Sequence, residues 1–157
     1  MSILIKGARG AGKKSLVRAV ADEVGLNVVM VSHLSHVNAA IDTQVDCYDI
    51  VGETMAVIEG SLQASLEKAK SAAPSILLLD HIEALAKRSE SSATGKSPTI
   101  IKTIDDLLED MRASALEIDW PIILMGTTVD EDSVPGELLS CFKQDLSISV
   151  RVIPYLQ

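Results

Sequence analysis

The sequence predicts an α/β domain in three layers, a parallel sheet with helices on both faces. Three observations carry this. Short apolar runs rich in Ile, Leu and Val recur at residues 3–5, 26–31, 75–79 and 121–125, the length and composition of buried strands. Longer stretches with apolar residues at helical spacing lie between them. Each connection is long enough for the crossover that parallel strands require.

The elements follow in order. Residues 3–5 form the first strand, and residues 13–24 the first helix, with Leu16, Val17, Val20, Ala21 and Val24 on one face and Gly25 as its C-cap. Residues 26–31 form the second strand. Residues 32–44 are polar and aperiodic, and residues 45–51 read as a strand or as a loop before the next helix. That helix covers residues 54–73, amphipathic with Val57, Ile58, Leu62, Leu66 and Ala69 at helical spacing, and Pro74 stops it. Residues 75–80 run four apolar side chains into Asp80. A helix begins at Ile82, and the Ser/Thr/Gly-rich residues 88–98 form a flexible loop. Residues 99–115 form an amphipathic helix on Ile100, Ile104, Leu107, Leu108 and Met111. Residues 121–125 form a further buried strand running into Gly126, Thr127 and Thr128. An acidic loop at 130–133, a short helix at 135–141 and an alternating edge strand at 146–150 complete the chain.

With 157 residues and 47% hydrophobic content, the chain makes one domain with a sizeable core. A net charge of −8 argues against nucleic acid as a main partner. No apolar run reaches the roughly 18 residues of a membrane span, and Lys6 and Arg9 interrupt any signal-peptide core. Cys47 and Cys141 have no metal-ligand spacing, so reduced thiols in the cytosol are expected.

Two stretches carry chemistry. The first is Gly7-Ala8-Arg9-Gly10-Ala11-Gly12-Lys13-Lys14-Ser15, set between a strand and a helix. This is the layout of a P-loop, in which backbone N–H groups and the helix N-terminus cradle phosphates and Lys13 reaches the β- and γ-phosphates. These nine residues are the candidate ATP-binding set. One position departs from the pattern. A Ser or Thr should follow the lysine to hold Mg²⁺, but Lys14 stands there, and Ser15 comes one residue late, about 100° further round the helix. The second stretch is the strand ending in Asp80. A carboxylate so placed either holds Mg²⁺ through its water shell or caps the next helix. Its pairing with the glycine turn favours the metal role, shared with Ser15.

The order of these motifs resembles an AAA+ ATPase. The blocks at residues 46–53, 59–70 and 73–85 are similar to the first, degenerate AAA+ domain of the peroxin-6 family, in its fungal form, over roughly residues 3–150. The resemblance implies the large α/β subdomain of a P-loop NTPase that binds ATP and Mg²⁺. It also implies a place in a hetero-hexamer with a peroxin-1-type AAA+ subunit. That assembly docks on a tail-anchored peroxisomal membrane receptor and extracts the import receptor as its substrate. The location implied is cytoplasmic, peripheral at the peroxisomal membrane.

Against that family the sequence departs at several hydrolysis and translocation positions. His81 stands where an active site has the Walker B glutamate, whose loss costs about 10²–10⁴-fold. His81 is expected at the surface and Glu83 facing solvent. Thr128 aligns with the sensor 1 asparagine. Between Arg112 and Arg151 there is no arginine, and Phe142-Lys143-Gln144 stands where a finger would project, an absence that costs about 10³–10⁵-fold at a neighbour's site. The pore-loop match, Ile50-Val51-Gly52, lacks a leading aromatic residue. No catalytic residue is assigned. Asp80, His81 and Thr128 occupy the Walker B and sensor 1 positions, so whether the domain hydrolyses ATP stays open.

The chain stops at Gln157 soon after the last strand, so the resemblance implies a fragment without the helical lid. Residues 31–44 exceed the family's usual interval and read either as a surface insertion or as a retained intron in the gene prediction. Three functions compete. The first is a nucleotide-binding domain with little hydrolysis, and the second a working ATPase in which His81 and Glu83 supply the base. The third is a nucleotide-free scaffold whose Lys14 fills the Mg²⁺ region.

Overall fold

The computed structural model of the chain describes residues 1–30, 47, 54–85, 100–117, 121–130, 132 and 134–149. The elements are β1 (Ser2–Gly7), α1 (Lys13–Val24), β2 (Asn27–Met30), α2 (Met55–Ser71), β3 (Ser75–Leu79), α3 (Ile100–Glu117), β4 (Ile122–Thr128), α4 (Gly136–Ser140) and β5 (Gln144–Ile148). The expected insertion at 31–44, the loop at 88–98 and the pore-loop match at 50–52 lie outside the described residues, as does most of the stretch at 45–51.

The five strands form one sheet in the order β2-β3-β4-β1-β5. Every pairing is parallel, as the helical crossovers predict. β3 is buried along its whole length. Its alternate side chains feed two clusters, which is why it reads as a continuous apolar run rather than an alternating one. Leu77 and Leu79 pack with Leu4, Leu124 and the inward faces of α2 and α3, including Ile58, Leu62, Leu66, Ile104 and Met111. Ile76 and Leu78 pack with Ile5, Met125 and the α1 residues Val17 and Ala21. The sheet is therefore sandwiched, with α1 on one face and α2 and α3 on the other.

The register brings the functional ends together. Leu79 lies opposite Gly126 and Lys6 opposite Thr128, so the C-terminal ends of β3, β4 and β1 share one edge. In open parallel sheets this edge is where ligands bind.

Four expectations are corrected. Leu16, Val20 and Val24 are 39%, 45% and 64% exposed, and of the expected apolar face only Val17 and Ala21 are buried. A helix lying on a sheet touches it along a narrow stripe, and the three other residues are rotated out of that stripe. β5 spans Gln144–Ile148 rather than 146–150, because its register on β1 pairs Ile3 with Gln144 and Gly7 with Ile148. β1 runs from Ser2 to Gly7 and β4 from Ile122 to Thr128, since pairing carries both strands into their polar ends. Glu83 is buried, at 4% exposure, not solvent-facing. It lies one residue beyond Ile82 in a helical stretch whose neighbours Ala84 and Leu85 are buried as well.

The stretch leading into β5 is anchored at the opposite end of β1. The Ser2 hydroxyl donates to the Cys141 carbonyl at 2.9 Å and accepts from the Lys143 N–H at 3.2 Å. The Cys141 thiol donates to Asp105 Oδ1 at 3.2 Å. Burial first, and then the Asp105 carboxylate, push this thiol up to about 12. The native state therefore keeps a proton that the unfolded chain releases above about pH 9, so this group's stabilisation falls as pH rises from about 9 to 12. A buried thiol with a raised pKa is a poor nucleophile. Iodoacetamide at pH 8 is expected to leave Cys141 unmodified in the native protein and to label it in denaturant. Mass spectrometry reads the difference, and equal labelling in both states would contradict this packing.

Candidate nucleotide site

The turn between β1 and α1 is built from backbone geometry that the glycines permit. Gly10 and Gly12 have φ of +80° and +82°, a left-handed conformation that costs other residues free energy. Gly7 is needed for a different reason: a Cβ there would lie 2.7 Å from the Ile148 carbonyl oxygen of β5. The Ala11 N–H donates to the Ala8 carbonyl at 3.1 Å and closes the turn. Gly12 caps α1, and its carbonyl accepts from the Leu16 N–H at 2.8 Å. The first N–H groups of α1 thus point into the turn with the positive end of the helix dipole.

Lys13 is 7% exposed, and its ammonium donates to the carbonyls of Gly7 at 2.7 Å and Ala8 at 3.1 Å. It is folded over the turn, where it can exchange carbonyl oxygens for phosphate oxygens. Arg9, Gly10, Ala11, Gly12, Lys13, Lys14, Ser15, Asp80 and His81 together line a cleft of about 320 Å³. Of the nine expected nucleotide-binding residues, the structure places seven on this cleft. Gly7 ends β1 and Ala8 is exposed at the start of the turn.

Asp80 follows β3 with its side chain 1% exposed. Its Oδ1 accepts a hydrogen bond from the Thr127 hydroxyl, and that hydroxyl accepts from the His81 N–H at 3.2 Å. Its Oδ2 is in contact with the Lys14 ammonium. His81 has φ of +58°, an uncommon conformation for a residue with a side chain, though histidine is enriched in it. The ring is 17% exposed, with Nδ1 3.6 Å from Asp80 Oδ2, beyond hydrogen-bonding distance. His81 is thus at the mouth of the cleft rather than on open surface.

Thr127, not Thr128, touches Asp80. Successive side chains of a strand point to opposite sides, and the Thr128 hydroxyl donates instead to the Asp130 carbonyl at 3.0 Å. Sequence reasoning had no access to this choice, which depends on the register of β4 on β3. Ser15 is exposed at the cleft rim. Glu83 is not among the described residues lining the cleft. Its Oε2 is buried without a hydrogen-bond partner among the described residues.

The chemistry of the cleft is that of an anion site. Three cationic side chains, Arg9, Lys13 and Lys14, meet one carboxylate at the N-terminus of a twelve-residue helix. The donor set does not suit Mg²⁺. That ion takes oxygen ligands in tight octahedral geometry, and here the carboxylate oxygen it would approach already carries an ammonium.

Comparison with known proteins agrees with this geometry. The family of ATPases associated with various cellular activities (AAA) matches residues 3–150. The peroxisomal ATPase PEX6 of Yarrowia lipolytica is 28% identical over 154 residues, covering 98% of this chain and 13% of that protein. PEX6 of Pichia angusta is 28% identical over 157 residues, covering 97% of this chain and 12% of that protein. The nuclear valosin-containing protein-like protein of Mus musculus is 28% identical over 152 residues, covering 97% and 16%. The chain spans between about an eighth and a sixth of the length of these relatives. A glycine turn cradled by β1 and α1, an aspartate ending the buried β3, and a match running from Ile3 to Val150 lead to one conclusion: this chain belongs to the AAA ATPase family.

Proposed function

We propose that this domain binds ATP with little hydrolysis, serving as a nucleotide-stabilised element of a peroxisomal AAA motor. The observation that carries the first part is the cleft itself. Its phosphate-binding groups are in place, while His81 stands at its mouth where an active site would have a glutamate. An imidazole turned 3.6 Å from Asp80 and held on a left-handed backbone is poorly suited to orient an attacking water. Glu83, the other candidate base, is buried away from the cleft lining. Bound ATP would stabilise the fold by linkage, by about 2.7 kcal/mol at a hundredfold excess over Kd.

The peroxisomal part is supported by PEX6 relatives that match nearly the whole chain. In that setting the domain sits in a ring with a peroxin-1-type AAA subunit, is held at the peroxisome by a tail-anchored receptor, and acts on the import receptor. Among the described residues no helix is long and apolar enough to cross a membrane.

Calorimetric titration with ATP, followed by single-turnover hydrolysis with Asp80→Asn as control, tests the nucleotide reading. Saturable binding with turnover no faster than the control is expected, whereas fast turnover or absent binding would refute it. Disruption of the gene in cells carrying a matrix-targeted fluorescent reporter tests the peroxisomal reading. The reporter should remain in the cytosol, and normal import would count against this role.

A further inference from the structure

Lys14 occupies the position that follows the P-loop lysine, where a hydroxyl ordinarily contacts Mg²⁺. Its ammonium lies on Oδ2 of Asp80, with Asp80 1% and Lys14 24% exposed in their side chains. The other oxygen of Asp80 is taken by the Thr127 hydroxyl. Both carboxylate oxygens are therefore engaged from within the chain, and the cation opposite the phosphate turn is a covalent part of it.

We infer that Lys14 is a built-in replacement for the divalent cation, so this site takes the metal-free nucleoside triphosphate. The inference rests on the nucleotide-binding reading above and goes beyond it by stating which ionic form of the ligand is bound. An ammonium is a compact point charge with three donors on a flexible stem. Lys14 is held on Asp80 as an ion pair rather than through a hydrogen bond, which leaves its donors to reach phosphate oxygens in the cleft. Arg9 and Lys13 line the same cleft, so three cations face the triphosphate and one carboxylate offsets them. A Mg²⁺ ion arriving with the nucleotide would have to displace Lys14 from a nearly solvent-free carboxylate, and two cations cannot share that oxygen without strong repulsion.

The test is ATP binding by the purified protein, followed by calorimetry in excess Mg²⁺ and again in EDTA. The wild type is expected to bind ATP in EDTA at least as tightly as in Mg²⁺. Lys14→Thr, which restores a hydroxyl, should bind about tenfold or more tightly in Mg²⁺ than in EDTA, and Lys14→Arg, which keeps the charge, should behave like the wild type. Circular dichroism verifies that each variant is folded, and the wild-type comparison decides the matter even if a variant is not. Wild-type binding that weakens tenfold or more in EDTA overturns the inference and leaves the nucleotide-binding reading standing. Absence of binding in both buffers overturns that reading and the inference with it.

Discussion

Lys13→Ala is expected to weaken ATP binding by roughly a hundredfold while leaving the fold intact. Hydrogen bonds to a charged group each contribute about 1.5–3 kcal/mol, and a loss of about 3 kcal/mol corresponds to that factor. The ammonium of Lys13 is buried over the turn and bonded to the Gly7 and Ala8 carbonyls. It is therefore preorganised, and little ordering free energy is needed when phosphate arrives. The two carbonyls it leaves border the open cleft, where water can satisfy them, so the stability cost should be small. Titration calorimetry gives the affinity and thermal melting the stability. An affinity within about threefold of the wild type would show that the phosphates are held elsewhere.

Leu77→Ala should produce the largest loss of stability among conservative changes, about 2–5 kcal/mol. Leu77 is 0% exposed in the middle of β3 and belongs to the cluster shared with α2 and α3. Truncation leaves a cavity lined by a central strand that cannot relax without moving both helices. For a domain of this size each kcal/mol shifts Tm by roughly 2–4 °C, so the variant should melt about 10 °C lower. Leu146→Ala is the internal comparison. Leu146 lies on the edge strand β5 and is 47% exposed, so its loss should change stability by about 0.5 kcal/mol or less. Equal costs at the two positions, measured by urea unfolding, would place β3 at an edge and contradict the sheet order.

How far each feature was legible depended on the range of the interaction that sets it. The run from Ser75 to Leu79 announces a central strand because both of its faces are apolar, a property of five adjacent residues. The glycine turn is legible for the same reason: Gly10 and Gly12 supply left-handed φ values, and Lys13 follows at once. The inward face of α1 was less legible. Leu16, Val20 and Val24 have the right spacing to be buried, but spacing says which residues share a face and not which stripe the sheet covers.

The local chain thus specified the fold class, the phosphate turn and the aspartate that ends β3, since strand alternation, helix periodicity and glycine conformation act between near neighbours. The partnerships of that aspartate depended on long-range assembly. Parallel register of β4 on β3 put Thr127 rather than Thr128 beside Asp80, and the docking of α1 against the sheet laid Lys14 on the same carboxylate. Forty-seven residues separate Thr127 from Asp80, and no pattern within either segment encodes which hydroxyl will meet which oxygen. That meeting is settled only when the hydrophobic faces on both sides of the sheet close and fix the strands in place.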